Sequence, residues 1–359
     1  MSISRPHVAV IGLGVGLHAH LPALKAAGFN IAALAARRLE PLQAAGAKVG
    51  IESLYTDLDE VLAHPGLDAV SIATPPPTHH EIVLKALSAG KHVLVEKAFA
   101  MSAGQADEMR QAADAAGKTA MVTQAYRFAP SRSFVGSLLA EGHIGTPQQI
   151  SISYFWETPK DMYQMPRAHW RWGCSTGGGI STGHAATLFD AVVTWFGPVK
   201  SICGKIRTHE RGLVQLDGRP ADADDTISAT FETTSGILGS MAVSGAAPLG
   251  PGGRIEIYGS EGTIAIRQPL IVPSKRDQVT VSRFSDGGQP IDLTIPNAFQ
   301  LADYGVGETY GPFFRVAEEF RRGIETSTSP SPNFADSCHL QRISDALRMS
   351  SERRVFVDI

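Results

Sequence analysis

Three glycines within five residues, Gly12, Gly14 and Gly16, stand directly after the apolar run HVAVI and directly before a helix-like stretch. Glycines so placed let the backbone turn tightly and approach a pyrophosphate, which then lies on the helix N-terminus. With Val15 they form the run GLGVG. Leu17 replaces the third glycine of the usual pattern, and Gly16 supplies an extra one. The chemistry is dinucleotide binding, and the repeated strand–helix context makes it more specific than a GxG alone. The next apolar run ends Ala35–Ala36–Arg37–Arg38, with no acidic residue between Leu17 and Leu39. A carboxylate at this place would bind the ribose hydroxyls of NAD and repel a 2′-phosphate, whereas a guanidinium can grip that phosphate bidentately. Arg37 and Arg38 therefore favour NADP, with NAD possible; the alternative is two solvated arginines at a helix start.

Other site classes are set aside. The 12 histidines never form HExxH, no Cys/His spacing suggests zinc, and no metal is expected. GSMAV carries no nucleophile-elbow pattern. Cys174, Cys203 and Cys338 are odd in number and far apart, which suits a reducing compartment and argues against a disulfide framework. The 32 basic and 35 acidic residues leave a net charge of −3, with no electrostatic footprint for nucleic acid or anionic membrane. No apolar run approaches the roughly 18 residues a membrane span needs. A cytoplasmic location is expected.

The elements that must position these residues fall into two blocks. Up to about Gln124, short apolar runs (HVAVIG, NIAALA, DAVSIAT, KHVLVEK, KTAMVTQ) alternate with amphipathic helical stretches, which implies a parallel sheet covered on both faces. Beyond it come a helix around Ser131–Ala140, an alternating strand QQISISYFWE, and Gly177–Gly179 leading into a helix through Phe196. Four further strands follow, then helices near Pro312–Arg322 and Phe334–Ser351, which reads as an open, largely antiparallel sheet. The stretch ETSTSPSP from Glu325 reads as a flexible surface connection. With 359 residues the chain suits two domains, residues 1–124 and 125–359. The fold class expected is α/β: a doubly wound parallel sheet, then an α+β domain with a large, mainly antiparallel sheet.

Several segments resemble the Gfo/Idh/MocA oxidoreductases. They are ATPPPTHHEIVLKALSAGKHVLVEKAFA, AYRFAP, EGHIG, GGG with downstream Asp190 and WFGPV, DDT, and YGSEGTI, in family order over nearly the whole chain. The front, GLGVGLHAHLPAL, is also similar to relatives of the yeast galactose repressor, a nucleotide-binding regulator of this fold. The resemblance implies a Rossmann domain, then a domain whose open sheet often forms an oligomer interface. A homodimer or homotetramer is therefore expected, through an outer sheet face of alternating apolar residues.

The resemblance also assigns roles. Thr74, Pro75 and His79 fall in the cofactor stretch. Glu96–Lys97 matches the family's EK pair, Glu96 with the cofactor and Lys97 with cofactor and substrate. An ammonium at Lys97 would stabilise a substrate oxygen as hydride leaves carbon, and partial burial would lower its pKa. Ala98 replaces the usual proline, which loosens the loop. Tyr126 belongs beside the cofactor and Arg127 beside the substrate, unless Arg127 forms an ion pair at the domain interface. The family's Asp and His positions are Gly183 and Thr187 here, and only Asp190 is retained. His184, facing the same pocket as Thr187, is the candidate acid/base, or else a histidine packed at the helix start; His169 is a second candidate. Trp170, Arg171 and Trp172 line a sugar site, or the two tryptophans are core anchors. The implied activity is an NAD(P)-dependent oxidoreductase of a sugar, polyol or sugar-derived carbonyl compound. The alternatives are a non-catalytic dinucleotide or sugar sensor and a redox-assisted glycosidase.

Overall fold

The computed structural model describes residues 5–158, 170–209, 212–215, 217–270, 272–305 and 307–359. They divide into two compact units, one of Met1–Ala125 with Tyr304–Cys338, the other of Tyr126–Asp303 with His339–Ile359.

The first unit holds a six-stranded sheet: β1 His7–Ile11, β2 Asn30–Ala35, β3 Leu54–Tyr55, β4 Ala69–Ile72, β5 His92–Val95 and β6 Ala120–Val122. The order is β3-β2-β1-β4-β5-β6 and every pairing is parallel. Ala69–Ile72 is buried at all four residues, as a strand covered on both faces must be. The connecting helices are α1 Leu21–Ala26, α2 Leu39–Val49, α3 Leu58–Leu62, α4 His79–Ser88 and α5 Ala103–Ala116. Asp57 and Ser102 cap α3 and α5 by accepting from the amides of Glu60 and Gln105. Strand order reverses beside β1, between β2 and β4. That reversal leaves a crevice at the carboxyl ends of β1 and β4, where α/β proteins bind ligands.

A single cut after residue 124 does not describe this unit, because Tyr304–Cys338 returns to it. The amphipathic helix Gly311–Thr326 lays Phe320 on Phe29 at 5.6 Å between ring centroids. Phe334 and Cys338 join the core of the sheet. The expected flexible connection is also corrected. The Ser329 hydroxyl accepts from the Ala120 amide, the Pro332 carbonyl accepts from the Val122 amide, and Asn333 bridges Met121. Sheet edges expose unpaired amides, and here this segment satisfies them.

The second unit is a nine-stranded sheet. Its strands are β7 Pro147–Phe155, β8 Val199–Arg207, β9 Thr226–Thr233, β10 Leu238–Ser244, β11 Gly252–Gly259, β12 Gly262–Gln268, β13 Gln278–Arg283, β14 Ile291–Leu293 and β15 Val357–Asp358. The order is β14-β13-β12-β11-β7-β10-β9-β8-β15, antiparallel except where β10 runs beside β7. Helices α6 Pro130–Ala140 and α7 His184–Phe196 cover one face, with Phe189 against Phe231 at 5.2 Å. Period-two alternation sends Ile152, Ile227, Phe231, Met241 and Ile255 into that core. The residues between them, such as Ser151, Ser228, Thr230, Ser240 and Arg254, form the other face. That face is thus mainly small polar and charged side chains, with Leu238 and Tyr258 exposed among them, and not the alternating apolar ones expected. Among the described residues no helix is long and apolar enough to cross a membrane.

Candidate active site

In the first unit the candidate residues collect at the carboxyl ends of β1, β4 and β5. Gly12 follows β1 with φ +109°, and a Cβ there would stand 2.4 Å from the Ala73 carbonyl oxygen, so no larger residue fits. Gly14 is exposed with open space around it, Val15 is half-buried, and Gly16 packs against Ala73 and Val10. This is a backbone cradle that a phosphate group can approach. Thr74 and Pro75 end the β4 segment beside it, and the Thr78 hydroxyl donates to the Thr74 hydroxyl at 2.7 Å and the Pro75 carbonyl at 2.9 Å. Arg37 and Arg38 lie exposed past β2, and neither guanidinium bonds to a described residue.

Lys97 is half-buried immediately past β5, and its peptide bond to Ala98 is cis. Glu96 beside it is buried. Its Oε2 takes hydrogen bonds from the Thr123 hydroxyl and from His20 Nε2, the latter at 3.0 Å, while His20 Nδ1 meets the Ser71 hydroxyl at 2.8 Å. Burial pushes the Glu96 carboxyl up. The bond and charge of His20, the charge of Lys97 and the bond from Thr123 outweigh it and hold Glu96 below the usual carboxylate range.

His79 does not match its expected role. Its side chain is fully buried, with Nε2 on the Thr74 carbonyl at 2.9 Å and Nδ1 on the Phe99 carbonyl at 3.2 Å. It has no surface to offer a cofactor, and instead ties the end of β4 to the loop after Lys97. Burial pushes the imidazole below its usual range, although the carbonyls of Thr74, Phe99 and Ala98 and the charge of Glu96 pull the other way.

In the second unit, Tyr126 and Arg127 open a short turn before α6. Arg127 makes a two-point ion pair with Asp190, both side chains buried. This pair lies inside the unit, where the sequence reading placed Arg127 beside substrate or at a domain interface. Arg132 lies with its guanidinium carbon 6.0 Å from the Tyr126 ring centre, and its Nη1 donates to the Thr187 carbonyl at 2.8 Å. His184 is half-buried as the first residue of α7, its ring 5.0 Å from that of Trp156. Thr187 is corrected as a substrate contact: it is buried, and its hydroxyl turns back to the His184 carbonyl at 2.8 Å. Trp170 and Trp172 are half-buried, and Arg171 stacks over Trp170 at 5.1 Å. His169 lies outside the described residues.

The GGG turn and the DDT run explain each other. Gly179 has φ +115°, and a Cβ there would stand 2.4 Å from Asp224 Oδ1; Asp224 also accepts from the Ser181 amide and hydroxyl, each at 2.7 Å. Sequence reasoning missed this brace, and it missed His20, Ser71 and Thr123. The available signals were a histidine on an apolar helix face in LHAHLPAL and a serine inside the buried strand AVSI.

The oxidoreductase family with an NAD-binding Rossmann fold matches residues 7–124, and the Gfo/Idh/MocA C-terminal domain matches residues 134–265. An uncharacterized oxidoreductase of Synechocystis is 27% identical over 98% of this chain and 95% of its own. Levoglucosan dehydrogenase of Pseudarthrobacter phenanthrenivorans is 28% identical over 88% of this chain and 86% of its own. D-apiose dehydrogenase of Paraburkholderia graminis is 38% identical over 43% of this chain and 41% of its own. A solved levoglucosan dehydrogenase complexed with NADH and L-sorbose shares the fold at TM-score 0.87, with 24% identity over 99% of both chains. With both of its halves matched in order, the chain belongs to the Gfo/Idh/MocA oxidoreductases, enzymes built on an NAD-binding Rossmann fold.

Proposed function

We propose that the chain is a dehydrogenase that moves hydride between a nicotinamide cofactor, NADP in preference to NAD, and a sugar, polyol or sugar-derived carbonyl compound. The observation that carries the reading is Lys97, half-buried at the carboxyl end of β5 in a sheet whose β1 turn is a glycine cradle. The names of the levoglucosan and D-apiose dehydrogenases support the sugar class. The cofactor fits the residues present. The backbone of Gly12–Gly16 leaves room for a pyrophosphate, and the exposed Arg37 and Arg38 offer two guanidinium groups with no described partner. When bound, the nicotinamide supplies the hydride acceptor or donor. Lys97 donates a hydrogen bond to the substrate oxygen and stabilises the charge that develops there. His184 is the acid/base that exchanges the proton with solvent. Self-association into a homodimer or homotetramer is proposed on the family resemblance alone, and a sedimentation coefficient of a monomer at micromolar concentration overturns it.

The test is steady reduction of NADP⁺ and of NAD⁺ by a panel of aldoses, anhydrosugars and polyols. Turnover with at least one sugar, faster with NADP⁺, is expected. Cofactor binding without turnover on any member overturns the reading.

A further inference from the structure

Four polar side chains run through the interior of the first unit: Ser71 in β4, His20 before α1, Glu96 after β5 and Thr123 after β6. Ser71 and Thr123 are buried, as are His20 and Glu96, and the Phe313 ring lies 5.7 Å from that of His20. The hydrogen bonds constrain the protons at the carboxylate. An ionised Glu96 accepts only, so His20 Nε2 must carry a hydrogen and donate it. The Ser71 hydroxyl, which can donate or accept, meets the other ring nitrogen, Nδ1. Thr123 donates its own hydroxyl to the same Oε2. Both hydrogen bonds to Oε2 are satisfied when Glu96 is an anion.

Holding a helix to a sheet does not call for a buried anion; apolar side chains of similar volume do that as well or better. What the column adds is a negative charge with a fixed address beside Lys97, whose charge in turn acts on Glu96. We propose that His20, Ser71 and Thr123 are positioning residues that hold the Glu96 carboxylate as the fixed counter-charge of the Lys97 ammonium. The inference rests on the reading of Lys97 as the group that faces the substrate oxygen. An anion on the neighbouring residue favours the ammonium over the amine, so it keeps Lys97 a donor to the substrate oxygen up to higher pH. The titratable and charged groups that act on Glu96 are Lys97 at the same strand end, His20 from the turn before α1, and His79 from α4.

The test compares Glu96→Gln, His20→Leu, His20→Gln and Ser71→Ala with the parent. Two readouts are used: the pH profile of kcat/KM, and the titration of Lys97 followed by NMR of ¹³C-methylated protein, with Lys97→Arg to assign the signal. Glu96→Gln and His20→Leu are expected to move the Lys97 midpoint down by about one pH unit or more. The alkaline limb of kcat/KM follows it, and kcat falls about tenfold. His20→Gln keeps an amide donor where Nε2 stood and recovers most of the loss. Ser71→Ala, a smaller change that covers a His20→Leu protein failing to fold, shifts the midpoint in the same direction by less. A Lys97 midpoint unmoved in Glu96→Gln, or in Ser71→Ala and whichever His20 variants fold, overturns the proposal. So does a His20→Gln protein no better than His20→Leu. If the parent turns over no sugar at all, the dehydrogenase reading falls, and the NMR titration still decides the counter-charge separately.

Discussion

Arg127 grips Asp190 at two points, Nε on Oδ2 at 3.1 Å and Nη2 on Oδ1 at 2.5 Å, with the two side chains 8% and 2% exposed. The pair gives Asp190 a reason to be present where the neighbouring family positions carry Gly183 and Thr187: it anchors α7 to the turn before α6. Removing one partner of a buried pair leaves an uncompensated charge, at a cost of about 3–5 kcal/mol. Asp190→Ala is therefore expected to lose stability of that order in urea unfolding. A loss under about 1 kcal/mol, the range of an exposed pair, contradicts the buried geometry.

His79 sets a pH dependence of stability. Its ring is held below the usual imidazole value of 6.5, chiefly by burial. Below that value the unfolded chain binds a proton that the folded chain resists, so unfolding becomes easier as pH falls. The stabilisation is present above 6.5 and is lost progressively below it. In His79→Gln the curve of unfolding free energy against pH should be flatter over that window than in the parent. Parallel curves for the two proteins rule out a titrating His79.

Cofactor preference turns on the end of β2. Ala36 is half-buried before the exposed Arg37 and Arg38. Introducing a carboxylate by Ala36→Asp would accept from ribose hydroxyls and repel a 2′-phosphate. Fluorescence titration should show the parent binding NADPH more tightly than NADH, and Ala36→Asp reversing or narrowing the ratio. Equal or tighter NADH binding by the parent removes the case for NADP.

The first sheet was legible because its code is local. Apolar runs such as AVSI and HVLV alternate with helices that start at Asp57 or Ser102, and the ends of β1, β2, β4 and β5 carry candidate residues. The return of Gly311–Thr326 to that unit was not legible, since an amphipathic helix states that it needs a partner without saying which. The polar face of the large sheet was misread for a related reason. Period two is visible in TISATFE, but the chemistry of the outward set has to be read residue by residue, and it is Ser228 and Thr230. At the site, the positions of Gly12, Lys97 and Asp190 followed from motif order, whereas the interior pairings of His20 with Glu96 and His79 with Thr74 are contacts across 76 and 5 positions that no spacing rule announces.

Lys97 and His184 make the last pair of expectations. Loss of a charge-assisted donor aimed at developing negative charge costs about 2.7–4 kcal/mol in the barrier, or roughly 10²–10³ in rate. Lys97→Ala should therefore lower kcat by that factor with whichever sugar is active. Affinity for the cofactor should stay within about threefold, because the glycine cradle and the two arginines, not Lys97, carry the dinucleotide. His184 is half-buried at the start of α7 against Trp156, with surface left to meet a substrate. His184→Ala should cost about 10²-fold, the low end for general acid–base catalysis, and flatten one limb of the pH–rate profile. Thr187→His is expected to gain little, since Thr187 is buried and Gly183 stands where the family's partner Asp would be. Near-normal turnover in Lys97→Ala shows that the reacting centre has been assigned to the wrong residue. A silent His184→Ala with an inactive Lys97→Ala means that the proton travels by water, His169 or Lys97 itself.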